Sequence, residues 1–189
     1  MGKISQPILF FAAVLMLMMS ATSRGDQKHP ELDPLFDALK QESDLVRIAE
    51  LQNQIWALWY ELPADQQHLQ ATFDEGMRAL SLAMPQTAIE HFTQVIKAAP
   101  EFAEAWNRRA TTFFMIGDLE SSMADIQKTL LLEPRHFGAL SGLSMIFENS
   151  GDLSRAVAAD RLMLELMPHH SQVQERIVGL EQQLYGRGI

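Results

Sequence analysis

Residues Ala103–Leu119 read AEAWNRRATTFFMIGDL. Trp106, Ala110, Phe113 and Phe114 recur at i, i+4, i+7 and i+8, which is one face of a helix. Gly117 then permits a left-handed backbone where that helix ends, and the Asp118 carboxylate suits the start of another. Residues 119–132 continue with Leu119, Met123, Ile126 and Leu130 at the same period, until Pro134 forces a turn. The stretch therefore predicts the first of two antiparallel helices. Small side chains at Ala110 and Ser122 let the pair approach closely.

This unit recurs. Pro100, Pro134 and Pro168 stand 34 residues apart, as do Ala88, Ser122 and Ala156, and Ile96, Leu130 and Leu164. Gly117-Asp118 returns as Gly151-Asp152, Ala79 as Phe113 and Phe147, and Gly76 as Ala110 and Ser144. Cutting at these marks yields three units without insertions, 69–102, 103–136 and 137–170, within a repeat region spanning 63–170. A repeated helical pair buries its apolar face only against neighbours, so the array needs covers. At the C-terminus, residues 171–189 supply a capping helix with Val173, Ile177, Leu180 and Leu184 apolar, followed by a tail. Residues 31–62 predict a helical hairpin. Its first helix carries Leu35, Phe36 and Leu39, and its second opens at Ser43-Asp44 and is closed by Pro63. This hairpin is expected to pack on the first repeat, and its WALWY run, Trp56–Tyr60, reads as packing surface.

The 34-residue grammar of Trp, small residue, aromatic, Gly, Ala and Pro resembles the tetratricopeptide repeat family over residues 69–170. The first unit departs from it, with Thr72 at the aromatic anchor and Ala83-Met84 in place of Gly-Asp. The resemblance implies an all-α, right-handed α-solenoid of three repeats. It also implies a concave groove lined by the first helix of each repeat. Carried onto this chain, the groove positions that would hold a partner are Phe73, Met77, Leu80, Asn107, Arg108, Thr111, Phe114, Met115, Ser141, Met145 and Asn149. The N-terminal hairpin, or the capping helix, could instead cover the Phe73 end. The family's clamp for a C-terminal carboxylate needs paired Lys and Asn, and Phe73 and Met77 stand there instead. Arg109 falls in a column usually filled by buried leucine. A buried guanidinium needs a carboxylate, and Glu75 or Asp125 is placed to supply it.

Ahead of the repeats, Ile8–Met19 is an unbroken apolar run after Lys3, and Ala21 and Ser23 suit cleavage after Ser23. Twelve residues make about 18 Å of helix, short of a hydrocarbon core of about 30 Å. Residues 1–23 thus read as a signal peptide and 24–30 as a linker. An uncleaved anchor to the inner membrane through residues 8–21 is the other reading, and only then would the chain touch a membrane. The 189-residue chain has no cysteine and a net charge of -9, which becomes -10 when Lys3 leaves with residues 1–23. An exported chain without disulfides suits a bacterial periplasm. The segments FAEAWNRRAT and LEPRHFGALSGL are similar to small exported repeat proteins of Gram-negative bacteria, which implies an envelope location and an interaction role.

The acidic balance argues against nucleic acid, since Arg108-Arg109 is the longest basic cluster. No phosphate loop, zinc helix, nucleophile elbow or EF-hand spacing occurs, so no catalytic residue, metal ligand or cofactor is expected. His136 and His169-His170 lie on turns after the repeat prolines, without Cys or carboxylate at ligand spacing. The expected function is a non-catalytic periplasmic adaptor or scaffold holding a protein or peptide in its groove. Two alternatives stay open, a self-associating subunit of an envelope assembly and an accessory to an envelope hydrolase. The oligomeric state is not legible.

Overall fold

The computed structural model describes residues 29–186. The expected signal peptide at 1–23, residues 24–28 of the expected linker and the last three residues of the tail lie outside the described residues. What is described is helical throughout. A hairpin, α1 (Leu32–Gln41) and α2 (Leu45–Tyr60), is followed by a 3-10 turn at Ala64–Leu69. Three helix pairs come next: α3 (Gln70–Ser81) with α4 (Pro85–Ala98), α5 (Ala103–Met115) with α6 (Leu119–Leu132), and α7 (Phe137–Asn149) with α8 (Leu153–Leu166). Helix α9 (Ser171–Gly186) ends the stack. Helix α2 packs on α1, each helix from α4 onward packs on the one before it, and the pairs stack as an α-solenoid.

The punctuation residues do what their chemistry dictates. Asp44, Asp118 and Asp152 each cap a helix by accepting a backbone N–H in its first turn, from Val46 and Arg47, from Ser121 and from Arg155. Pro85 stands in the first turn of α4, where no N–H is needed. Within the pairs, the Ser122 hydroxyl donates to the Ala110 carbonyl at 2.8 Å and Ser144 to Ala156 at 3.1 Å. Small residues thus both permit and fasten the close approach. In the first pair Gly76 serves, since a Cβ there would lie 2.7 Å from the Phe92 ring.

The turn inside each pair takes a left-handed residue, Gly117 at φ +80° and Gly151 at φ +75°. In the first repeat Ala83 occupies it at φ +54°. The left-handed region costs an L-residue about 1–2 kcal/mol, while glycine gives back roughly 0.5–1 through the entropy of the unfolded chain. Ala83→Gly is therefore expected to raise stability by about 0.5–1 kcal/mol, measured as an upward shift of the urea midpoint. A downward shift would show that the turn carries no strain.

The hairpin does not sit where the sequence suggests. Leu32, Phe36, Leu39, Ile48, Leu51, Ile55 and Trp59 share one buried cluster with the second and third pairs and α9. The first pair has a separate core of Phe73, Phe92, Val95, Ile96 and Phe102, which Leu62 and Tyr60 only close off. The reason is shape. Trp56 and Trp59 need a flat, side-chain-poor seat, and Gly138 with the His136 ring provides it. A Cβ at Gly138 would lie 2.6 Å from Trp56 Cη2, and Trp59 stacks on His136 at 4.2 Å between ring centroids. Arg135 ties the hairpin's other helix down, through Asp33 at 2.6 Å and over the Phe36 ring at 4.4 Å.

Candidate functional site

Helix α2 lies across the first helices of the second and third repeats and leaves a cavity of about 250 Å³ beside it, between α5 and α7. Six of the eleven sequence-derived groove residues meet there: Asn107, Arg108, Thr111, Phe114, Ser141 and Met145. Its floor is built of small residues, Ala110, Ser122, Gly138 and Gly142, which is why a cavity exists at all. Trp56 forms one wall. Expected to serve as packing surface, that residue does both.

The other five stand elsewhere. Phe73 is 1% exposed, locked against Phe102 and Phe92 at 5.1 and 5.7 Å, so it belongs to the first-repeat core. Met77 and Leu80 are half-buried against that same core. Met115 and Asn149 lie beyond the cavity on the exposed ends of α5 and α7. Asn107, although it borders the cavity, is 4% exposed and donates to Glu104 at 3.1 Å. Its amide is thus committed inward. The exposed large apolar side chains of α5, its C-cap and α7 are Met115, 57% exposed, Ile116 and Met145, 40% exposed, with Phe114 half-buried on α5.

Beneath the cavity runs a polar network that sequence reasoning missed. Glu104 is fully buried and accepts from Asn107, from Arg108 Nε and from the fully buried His136. His136 Nδ1 accepts the Ala139 N–H at 3.1 Å, capping α7, so the proton rests on Nε2 and is donated to Glu104 at 2.8 Å. Arg108 reaches on to the Tyr60 hydroxyl and lies 5.0 Å from the ring centroids of both Trp56 and Tyr60. Burial pushes the Tyr60 phenol up from its usual range despite Arg108, so it stays a neutral hydroxyl. Arg108, expected to orient a partner, is instead largely used in holding α2 to α5. The signal that could have exposed this was the 32-residue separation of Glu104 and His136, nearly one repeat, which brings the residue capping α7 beside the first turn of α5.

Arg109 behaves as its column demands. Its Nε and Nη2 donate to both oxygens of Asp125 at 2.7 and 2.8 Å, Nη1 donates to Thr93 at 2.9 Å, and its guanidinium lies 5.0 Å from the Trp106 ring. Glu75 is not the partner and faces His91 instead. Among the described residues no group of three His or carboxylate side chains is arranged to hold a metal, and no helix is long and apolar enough to cross a membrane.

With this geometry in hand, comparison with known proteins places the chain. It is 33% identical over 173 residues to a tetratricopeptide repeat-containing protein of Rhizobium etli, covering 92% of this chain and 82% of that one. The chain belongs to the tetratricopeptide repeat family. It is also 26% identical over 110 residues to the small glutamine-rich tetratricopeptide repeat-containing protein 2 of Mycosarcoma maydis, spanning 58% of this chain and 31% of that longer protein. No protein-family model matches the chain. Among solved structures, the first repeat domain of Spaghetti (RPAP3) bound to the HSP90 peptide SRMEEVD aligns with a TM-score of 0.60 at 18% identity, over 64% of this chain and 98% of that one. The crystal structure of MamA aligns with a TM-score of 0.58 at 18% identity, over 77% of this chain and 86% of that one. At such identities these two likenesses concern the fold alone.

Proposed function

We propose that this protein is a non-catalytic adaptor, exported to the periplasm by residues 1–23, that holds an apolar peptide segment of a partner protein. The contact surface would be the cavity between α5 and α7 with Met145 at its rim, together with the exposed Met115 and Ile116 beyond it at the end of α5. The observation that carries the reading is the cavity itself. At about 250 Å³ it lies below the roughly 300–1,000 Å³ of small-molecule sites. It is therefore sized for one or two side chains of a larger partner. Methionines on this surface are flexible and polarizable, which suits a docking surface for extended or helical peptides. A related fold, that of RPAP3, has been solved with a peptide bound. Phe73 is outside the contact surface, because a partner would have to open the core to reach it, and the Asn107 amide, at the cavity's border, is held by Glu104.

The test is a peptide library selected on the immobilised protein, with affinities remeasured on Met115→Glu/Met145→Glu. Two charges on this surface should weaken the selected peptides at least about tenfold, the factor of roughly 1.4 kcal/mol, with helicity by circular dichroism unchanged. Equal affinity for the variant would move the binding face off the groove.

A further inference from the structure

The repeat period makes the chain its own control. Glu104, Asn107, Arg108 and His136 in one repeat correspond, 34 residues on, to Gly138, Ser141, Gly142 and His170. The histidine returns, but the carboxylate, the amide and the arginine do not. In the first set His136 has a partner at each ring nitrogen. His170 begins α9 as His136 begins α7, yet its side chain has no partner among the described residues, and Nδ1 is shut off from solvent. Beside it, bordered by two of the three replaced positions, Gly138 and Ser141, a second cavity of about 430 Å³ opens between α2, α7, α8 and α9.

That cavity has the make-up of a ligand site. Its volume is within the range of small-molecule pockets. Trp56, Phe137, Met163 and Met167 give it an apolar wall, and His170 and Arg176 give it donors. Asp160, the one acid among its described lining residues, does not repel an anion on balance. It is fully buried, and both its oxygens accept from Arg176, at 2.8 and 2.7 Å. Arg176 Nη1 is left without a partner among the described residues. An unpaired histidine and a spare guanidinium donor beside an apolar wall call for a carboxylate on an apolar body.

We propose that this cavity binds a small carboxylic acid, its carboxylate standing by His170 as the Glu104 carboxylate stands by His136, with a further hydrogen bond from Arg176. The site is separate from the peptide surface and does not depend on that reading. Only Trp56, Ser141 and Gly138 border both cavities.

The experiment is nitrogen-15 NMR of histidine-labelled full-length protein titrated with phenylacetate and hexanoate, and with phenylacetamide and hexanamide as neutral counterparts. His170→Ala identifies the His170 ring signals by their loss. Both acids should shift those signals saturably in the millimolar range expected of so few atoms. They should bind at least about tenfold more tightly than the amides, which lack the charge-assisted bonds. Ala49→Trp, a substitution on an exposed position of α2 at the cavity's edge, should abolish the response while leaving the His136 signals in place. The proposal is overturned if the acids give no saturable shift, if amides match them, or if the shift survives Ala49→Trp with His136 unchanged.

Discussion

Glu104→Ala is expected to lower the stability of the fold by about 3–5 kcal/mol, the scale of breaking a buried charged pair. Typical domains are stable by only about 5–15 kcal/mol, so this one carboxylate decides whether the hairpin stays docked. Removing it strands the Nε2–H of a fully buried histidine, the Asn107 amide and Arg108 together. His136 and Asn107 have no water to turn to at that depth, while Arg108, 16% exposed in its side chain, keeps the Tyr60 hydroxyl. Glu104→Gln keeps the size and one acceptor but turns an amide N–H toward a donor, and should cost about 1.5–3 kcal/mol, the worth of a hydrogen bond to a charged group. Urea unfolding followed by circular dichroism at constant slope measures both. A loss below about 1 kcal/mol for Glu104→Ala, the net worth of an ordinary hydrogen bond, would mean that aromatic packing alone holds α2.

The second large effect lies at Arg109 and Asp125. Asp125→Ala leaves a guanidinium, 15% exposed in its side chain, with only Thr93 and the Trp106 ring, and should cost about 3–5 kcal/mol. Arg109→Leu alone should also be felt, because Asp125 is then buried without its partner. The double replacement Arg109→Leu/Asp125→Ala should recover to within about 1 kcal/mol of the parent, since apolar groups of suitable volume replace buried pairs at little cost. The same unfolding series gives the coupling energy as a double-mutant cycle. Strictly additive effects would show that the pair contributes no coupling, however close its geometry.

Much of the candidate site was legible because repeat positions are local. Thr111, Phe114, Ser141 and Met145 border the cavity as the groove register implies. Phe73 occupies an equally valid groove position, yet it is buried. No register distinguishes these cases, because Tyr60 and Leu62, ten residues or more upstream, are what close over Phe73. Arg109 shows the other side of this. A charge in an apolar column announces its own need for a partner, and Asp125 lies on the adjoining helix of the same repeat. Arg108, one residue earlier, announced nothing, because an arginine on a groove face satisfies itself with water until α2 covers it.

Sequence alone determined the repeats, their helices and their turns, since these depend on contacts between neighbours one or two helices apart and are written as a period. Tertiary structure alone decided where α2 lies. Its seat joins Trp56 to Gly138 across 82 positions and Trp59 to His136 across 77. A tryptophan and a glycine carry no mark of their complementarity until the backbone brings them together. That single docking closes the groove over Phe73, divides what remains into two cavities and leaves His170 beside the larger of them.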